Sequence, residues 1–186
     1  MLKLIVSLVY AVLFTSCWGI YKDPYPYTSK KVLGYKPVYS NDSSLLRVQA
    51  TGPQPIIFPG KIYVKGNLIF QNEIGYGIHI IDNTISSAVK PIGFIQLRGN
   101  SEMSIKGNFL YANSYTDLVI VDISNWQNIT EIKRIRNAFY QGGTMNAYNF
   151  IPLPEHNVYY ECANYNIGIH VGWIRDSVYQ YFCYYP

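Results

Sequence analysis

From residue 60 onward, short apolar runs alternate with turn residues at a steady interval. Lys65-Gly66-Asn67 is followed by the apolar triplet Leu68-Ile69-Phe70, and 41 positions later Lys106-Gly107-Asn108 is followed by Phe109-Leu110-Tyr111. Each copy continues into a run that ends in an acid, Gly77-Ile78-His79-Ile80-Ile81-Asp82 and Asp117-Leu118-Val119-Ile120-Val121-Asp122, and closes on a further strand, Ile92–Ile95 and Ile132–Ile135. A looser third copy places His156-Asn157 in a turn, Val158-Tyr159-Tyr160 in a strand and Ile167–Val171 in the run, with Gly172 standing where the acid would be. A period near 40 with about four strands per unit predicts an all-β chain of propeller-type blades.

Each repeated piece has a physical reason. Gly and Asn tolerate the positive φ that a tight hairpin demands, so Lys-Gly-Asn is expected between two strands. The run Leu118–Val121 is continuously apolar, which predicts burial on both faces, as in a blade sandwiched between neighbours. Asp82 and Asp122 end their runs where a carboxylate accepts bonds from turn amides just downstream.

Leu118-Val119-Ile120-Val121-Asp122 spells the motif that names the LVIVD repeat family. The stretch Met103 to Ile135 resembles such a repeat, and so does Lys61 to Leu97, with Ile78-His79-Ile80-Ile81-Asp82 in the motif's place. The resemblance implies a β-propeller, often on surface or periplasmic lipoproteins of Bacteroidetes-like bacteria, with no family-wide activity established. It divides the chain into repeats at 60–100 and 101–141 and a partial one at 142–186. Propellers close with at least ~4 blades, so about two and a half to three blades make an incomplete propeller. That shortfall is expected to reflect a truncated product, the favoured account given the abrupt Tyr184-Tyr185-Pro186 end. The other accounts are an assembly of several chains and a short sheet stack capped by the preceding segment.

The first 60 residues differ. Lys3 is followed by a mostly apolar run from Leu4 to Phe14 and then Thr15-Ser16-Cys17. The run falls short of the ~20 residues of a transmembrane helix and matches the apolar core of a signal peptide, 1–16. The small pair before Cys17 resembles a lipobox, where bacterial lipoproteins are cleaved and acylated, although Phe14 stands where the motif has an aliphatic residue. The expectation is an exported protein held by a lipid on Cys17 in the bacterial envelope. Residues 17–59 carry Pro24, Pro26, Pro37, Pro53, Pro55 and Pro59 and the polar stretch Ser40–Ser44. They read as a tether, with Ser44–Ala50 forming a short helix or docking on the first blade.

Composition narrows the partners. Aromatic residues make up 16% of the chain and include 19 tyrosines, which suits pleated surfaces. The net charge of +4 is scattered, so nucleic acid is not an expected partner. With Cys17 lipidated, Cys162 and Cys183 remain, either bridged or as two free thiols.

Candidate chemistry is thin. His79 and His170 share one repeat position, filled by Val119 in the second copy, and with His156 they lack the three or four ligands of a metal site. Glu73, Asp82, Glu102, Asp117, Asp122, Glu131, Glu155 and Glu161 are spread over different turns and strands. No nucleophile elbow, phosphate loop or dinucleotide fingerprint appears, and Gly142-Gly143 lacks a following Lys-Ser/Thr. No cofactor, metal or catalysis is expected. Tyr115, Trp126, Tyr140, Tyr148 and Trp173 fall in or near predicted loops, where aromatics stack on sugars or anchor a protein; packing between blades is the competing role for each. The expected function is a non-catalytic binding or scaffold module, engaging protein or glycan through its loops. Its rivals are an envelope hydrolase or metal-dependent enzyme with a channel site, and a fragment with no function of its own. Metabolic labelling with a fatty-acid analogue is expected to mark the protein and to leave Cys17→Ser unmarked; label that survives the substitution removes the anchor.

Overall fold

A computed structural model describes residues 30–139 and 150–180, together with the backbone of 183–185. Three sheets make up the described residues. The first runs in the order β2 (Gln49–Thr51), β6 (Lys90–Gln96), β5 (Gly77–Asp82), β4 (Leu68–Glu73), β3 (Pro59–Lys65). The second is β10 (Thr130–Ile135), β9 (Asp117–Asp122), β8 (Phe109–Ser114), β7 (Met103–Lys106). Each is an antiparallel meander matching one repeat, with β2 added to the edge of the first. This is an all-β, propeller-like arrangement of blades, and among the described residues it does not close into a barrel.

The hairpins that open both blades turn on two residues. Gly66 and Gly107 have φ of +57° and +58°, while Asn67 and Asn108 keep negative φ. This fits a hairpin turn with glycine at its first central position and corrects the expectation that both residues would be left-handed. Asp82 Oδ1 accepts from the Thr84 N–H at 2.8 Å, and Asp122 Oδ1 from the Ser124 N–H at 2.8 Å, closing the turns after β5 and β9.

One apolar layer joins the blades. Strand alternation puts Phe70, Ile78, Ile80, Ile95 and Leu97 on one face of the first sheet, against Ile105, Leu110, Ala112, Val119 and Val121 of the second. Trp126, in the turn after β9, lies over Gly93, where a Cβ would meet its ring at 2.3 Å. The opposite faces diverge. β5 is buried along both faces from Gly77 to Ile81, but on β9 only Val119 and Val121 are fully covered. Leu118 and Ile120 are half-buried beside the exposed Phe109 and Ile135, which corrects the expectation for Leu118–Val121.

A polar chain runs beside this layer. Asn72 and Asn113 occupy the same position 41 residues apart, and Asn100 lies between them. Asn72 donates to Asn100 Oδ1, and Asn100 Nδ2 donates to the Asn113 carbonyl at 3.0 Å. Asn113 Oδ1 accepts from the Ser101 and Glu102 N–H groups at 2.9 and 2.8 Å, while its Nδ2 donates to the Gly99 carbonyl at 3.0 Å. Buried amides of this kind stabilise only when their partners are present.

The third sheet corrects two expectations. Its order is β12 (Ile169–Tyr179), β1 (Lys31–Ser40), β11 (Val158–Tyr160), β13 (Cys183–Tyr185). The third copy therefore does not form a blade by itself, because β1, from the opposite end of the chain, separates β11 from β12. β1 pairs antiparallel with β12 from Lys31↔Tyr179 to Ser40↔Ile169 and parallel with β11 at Tyr35↔Tyr160. The described part of the proposed tether is thus integral to the fold. Pro37 is tolerated because β11 covers β1 only around Tyr35, leaving the missing donor outside that ladder. After β1, Asp42 caps a short 3-10 turn, η1 (Ser43–Leu46), whose Leu46 carbonyl accepts from Arg134 at 2.9 Å. β2 then docks on β6, so Ser44–Ala50 combines a helical turn with docking on the first blade.

Asn113→Ala takes the acceptor from the part-buried Ser101 and Glu102 N–H groups and removes the buried amide between the blades, and is expected to destabilise the fold by about 1–3 kcal/mol. Urea unfolding measures this; a loss within error of zero means the asparagine chain does not tie the blades.

Candidate functional site

The outer face of the first blade carries the candidate site. Alternation on this sheet sends Glu73, His79, Phe94 and Gln96 to the side opposite the shared core. Residues 52–58 arch over that side between β2 and β3, so a segment crowded with prolines becomes a roof. Below it lies a cleft of about 450 Å³ lined by Thr51, Gln54, Ile57, Phe58, Glu73, Tyr76, Phe94, Gln96 and Arg98. That volume lies within the range for a single small molecule.

The roof is fastened by a buried carboxylate. Glu73 Oε1 accepts from the backbone N–H of Ile57 at 3.0 Å and of Phe58 at 2.5 Å, and the Ile74 N–H donates back to the Phe58 carbonyl at 2.9 Å. Glu73 Oε2 lies 2.8 Å from His79 Nε2. Because the carboxylate already accepts two amides, it acts as an acceptor here and the imidazole Nε2–H donates. His79 Nδ1 is buried and has no hydrogen-bond partner. The His79 ring tilts against Phe94 at 4.9 Å between centroids, and Phe58 lies nearly parallel to Tyr76, 6.2 Å away at 13°. Burial pushes the Tyr76 hydroxyl above its ordinary pKa, partly opposed by the charge of Arg98. Arg98 is half-buried, and its Nε is sealed from solvent without a partner.

The aromatic residues expected to contact a ligand mostly serve packing. Tyr115 is buried with Phe150 and Ile151, and its hydroxyl donates to the His170 carbonyl at 2.5 Å. Burial pushes that hydroxyl up to about 12. Trp126 covers Gly93, and Trp173 donates from Nε1 to the Ile151 carbonyl at 3.0 Å while packing edge-on against Tyr160 and His170. Tyr140 and Tyr148 lie outside the described residues, as does Cys17. His156 is exposed in the turn before β11. Cys162 is disulfide-bonded, which removes the free-thiol alternative for it, and the register Tyr160↔Cys183 brings the Cys183 backbone alongside. Among the described residues no three His, Cys, Asp or Glu side chains converge as metal ligands.

The same repeat position holds His79 in one environment and His170 in another. His170 is fully buried among Tyr39, Tyr165 and Trp173, and its Nε2–H donates to the Gly172 carbonyl at 2.9 Å. Departures from the repeat were the signal for the cleft. Glu73 and His79 stand where the second copy has Ser114 and Val119, so ionisable groups replace residues in slots the fold itself does not need charged. Arg98 and the roofing residues carried no such signal, because pairing across residues 57–98 is a product of the fold.

The fold and its stacked blades define a β-propeller-type repeat protein. Residues 99–136, which contain β7 to β10, match the LVIVD repeat family. No curated protein and no solved structure matches the chain.

Desolvation holds His170 down at about 4 from its ordinary 6.5, so it is neutral in the fold at neutral pH. The unfolded chain takes up this proton first as pH falls, so the contribution is full above 6.5 and shrinks towards 4. The urea midpoint of the wild type is expected to fall over that interval more steeply than that of His170→Leu; parallel pH profiles count against a buried neutral imidazole.

Proposed function

We propose that this chain is a non-catalytic binding module of the bacterial cell envelope, exported and held at a membrane by a lipid on Cys17. Its ligand enters the cleft beneath residues 52–58. The observation that carries this reading is the cleft itself: an apolar, aromatic-walled space with a few convergent polar groups, roofed by a segment that one buried carboxylate fastens. Of the loop aromatics first considered for protein or glycan contact, Tyr115, Trp126 and Trp173 pack within the fold, which favours this outer face as the binding surface. The anchor rests on the apolar run, the small pair and Cys17, and an envelope address agrees with a disulfide at Cys162.

The hydrolase reading draws on the Glu73–His79 pair at the cleft floor. A general base needs a free lone pair aimed at the proton it removes. Glu73 accepts from two backbone amides and an imidazole that hold the roof, and the free imidazole lone pair, on His79 Nδ1, is buried on a residue outside the cleft lining. That favours binding over catalysis.

Ligand-observed NMR against a library of small sugars and fragments tests the cleft. Hits are expected on the wild type and not on Gln54→Trp, which places an indole at the exposed mouth. A library without hits, or hits that Gln54→Trp leaves unchanged, overturns this location.

A further inference from the structure

We propose that the cleft selects small organic carboxylates, the carboxylate seated on Arg98 and a flat apolar body held among Phe58, Tyr76 and Phe94. The proposal rests on the cleft being the ligand site. Glu73 and Arg98 are the two charged residues in its lining, and they are in opposite situations. The Glu73 carboxylate accepts from Ile57 N–H, Phe58 N–H and His79 Nε2–H. Arg98 Nε has no partner although it is closed off from solvent, and among the described residues no carboxylate lies within ion-pair distance of its guanidinium. A half-buried guanidinium without a counter-charge is unfavourable, so an anion seated on the part of Arg98 that lines the cleft supplies the charge left unpaired among the described residues.

The form of the anion follows from the geometry of the two groups. A guanidinium presents a planar fork that matches a carboxylate through two parallel bonds. Beside it, Phe58 and Tyr76 present nearly parallel rings at 13°, and Phe94 closes the floor against His79. Flat aromatic walls favour a flat body through offset or edge-on packing. Thr51, Gln54 and Gln96 line the same cleft and supply a hydroxyl and two amides for a further polar substituent.

The test uses the chain as isolated from expressing cells and a panel of aryl carboxylates, including 3-phenylpropionate, each paired with its primary amide. Titration calorimetry is expected to show acids binding at least about tenfold more tightly than their amides. Arg98→Gln should erase that preference by weakening the acids more than their amides, and Arg98→Lys should restore part of it. Among the described residues no hydrogen bond or ion pair holds the Arg98 side chain, so both variants are expected to keep the wild-type urea midpoint. Equal binding of acids and amides, or an acid preference that survives Arg98→Gln, overturns the carboxylate proposal and leaves the cleft as a ligand site. Tighter binding of phenyl phosphate than of any carboxylate overturns the choice of anion. Binding of neither acids nor amides overturns the proposal, and whether the sugar and fragment library still gives hits that Gln54→Trp removes decides separately whether the cleft binds at all.

Discussion

Everything described here depends on one apolar layer, formed where the inner face of the first blade meets the inner face of the second. Neither sheet is thick enough to bury its own side chains, so Phe70, Ile78, Ile80 and Ile95 need Leu110, Val119 and Val121 as much as the reverse. That mutual burial sets how the two meanders lie on each other. It also decides which residues are left for other work, because strand alternation sends every second side chain away from the layer. The asparagine chain and the bonds between neighbouring edges follow from this stacking. Tyr63 donating to the Ile105 carbonyl and Lys65 donating to Asn108 at 2.9 Å link positions about one repeat apart.

The outer faces are where the two copies part. On the second blade, Leu118 and Ile120 remain half-buried beside an exposed Phe109. On the first, the strand half near β3 is similarly open, with Ile62 61% and Val64 58% exposed, but the half near β6 is roofed by residues 52–58. The roof stays down because a buried Glu73 meets its amides, and Glu73 is itself positioned by His79. A charge in that slot is costly unless it is fully hydrogen-bonded. The site is therefore a local exception to a repeat whose other slots are filled for packing.

Much of the architecture was legible because it is written in local periodicity. The recurrence of Lys-Gly-Asn, the acid-ended runs and the apolar strands between them mark where strands lie and where hairpins turn, and each depends on residues within a few positions. The first segment was misread for the same reason. Counting its prolines pointed to a tether, whereas the partner that makes β1 a strand lies some 140 positions away at Trp173 and its neighbours. For the loop aromatics the sequence left ligand contact and packing open, because a turn residue looks exposed until the blade it leans on is in place, as Trp126 over Gly93 shows.

The sequence by itself determined the strand pattern of the two blades, their hairpins and the 41-residue recurrence. Tertiary structure alone decided that β1 would divide β11 from β12, that residues 52–58 would cover the first blade, and that Arg98 would stand in a cleft with no partner for its Nε among the described residues. The division has a physical cause. Periodicity records the demands of a strand on its immediate neighbours, while pairing between distant segments depends on which buried face remains open once the blades have stacked. The cleft belongs to the second kind, since its floor, wall and roof come from three stretches that only the stacked blades bring together.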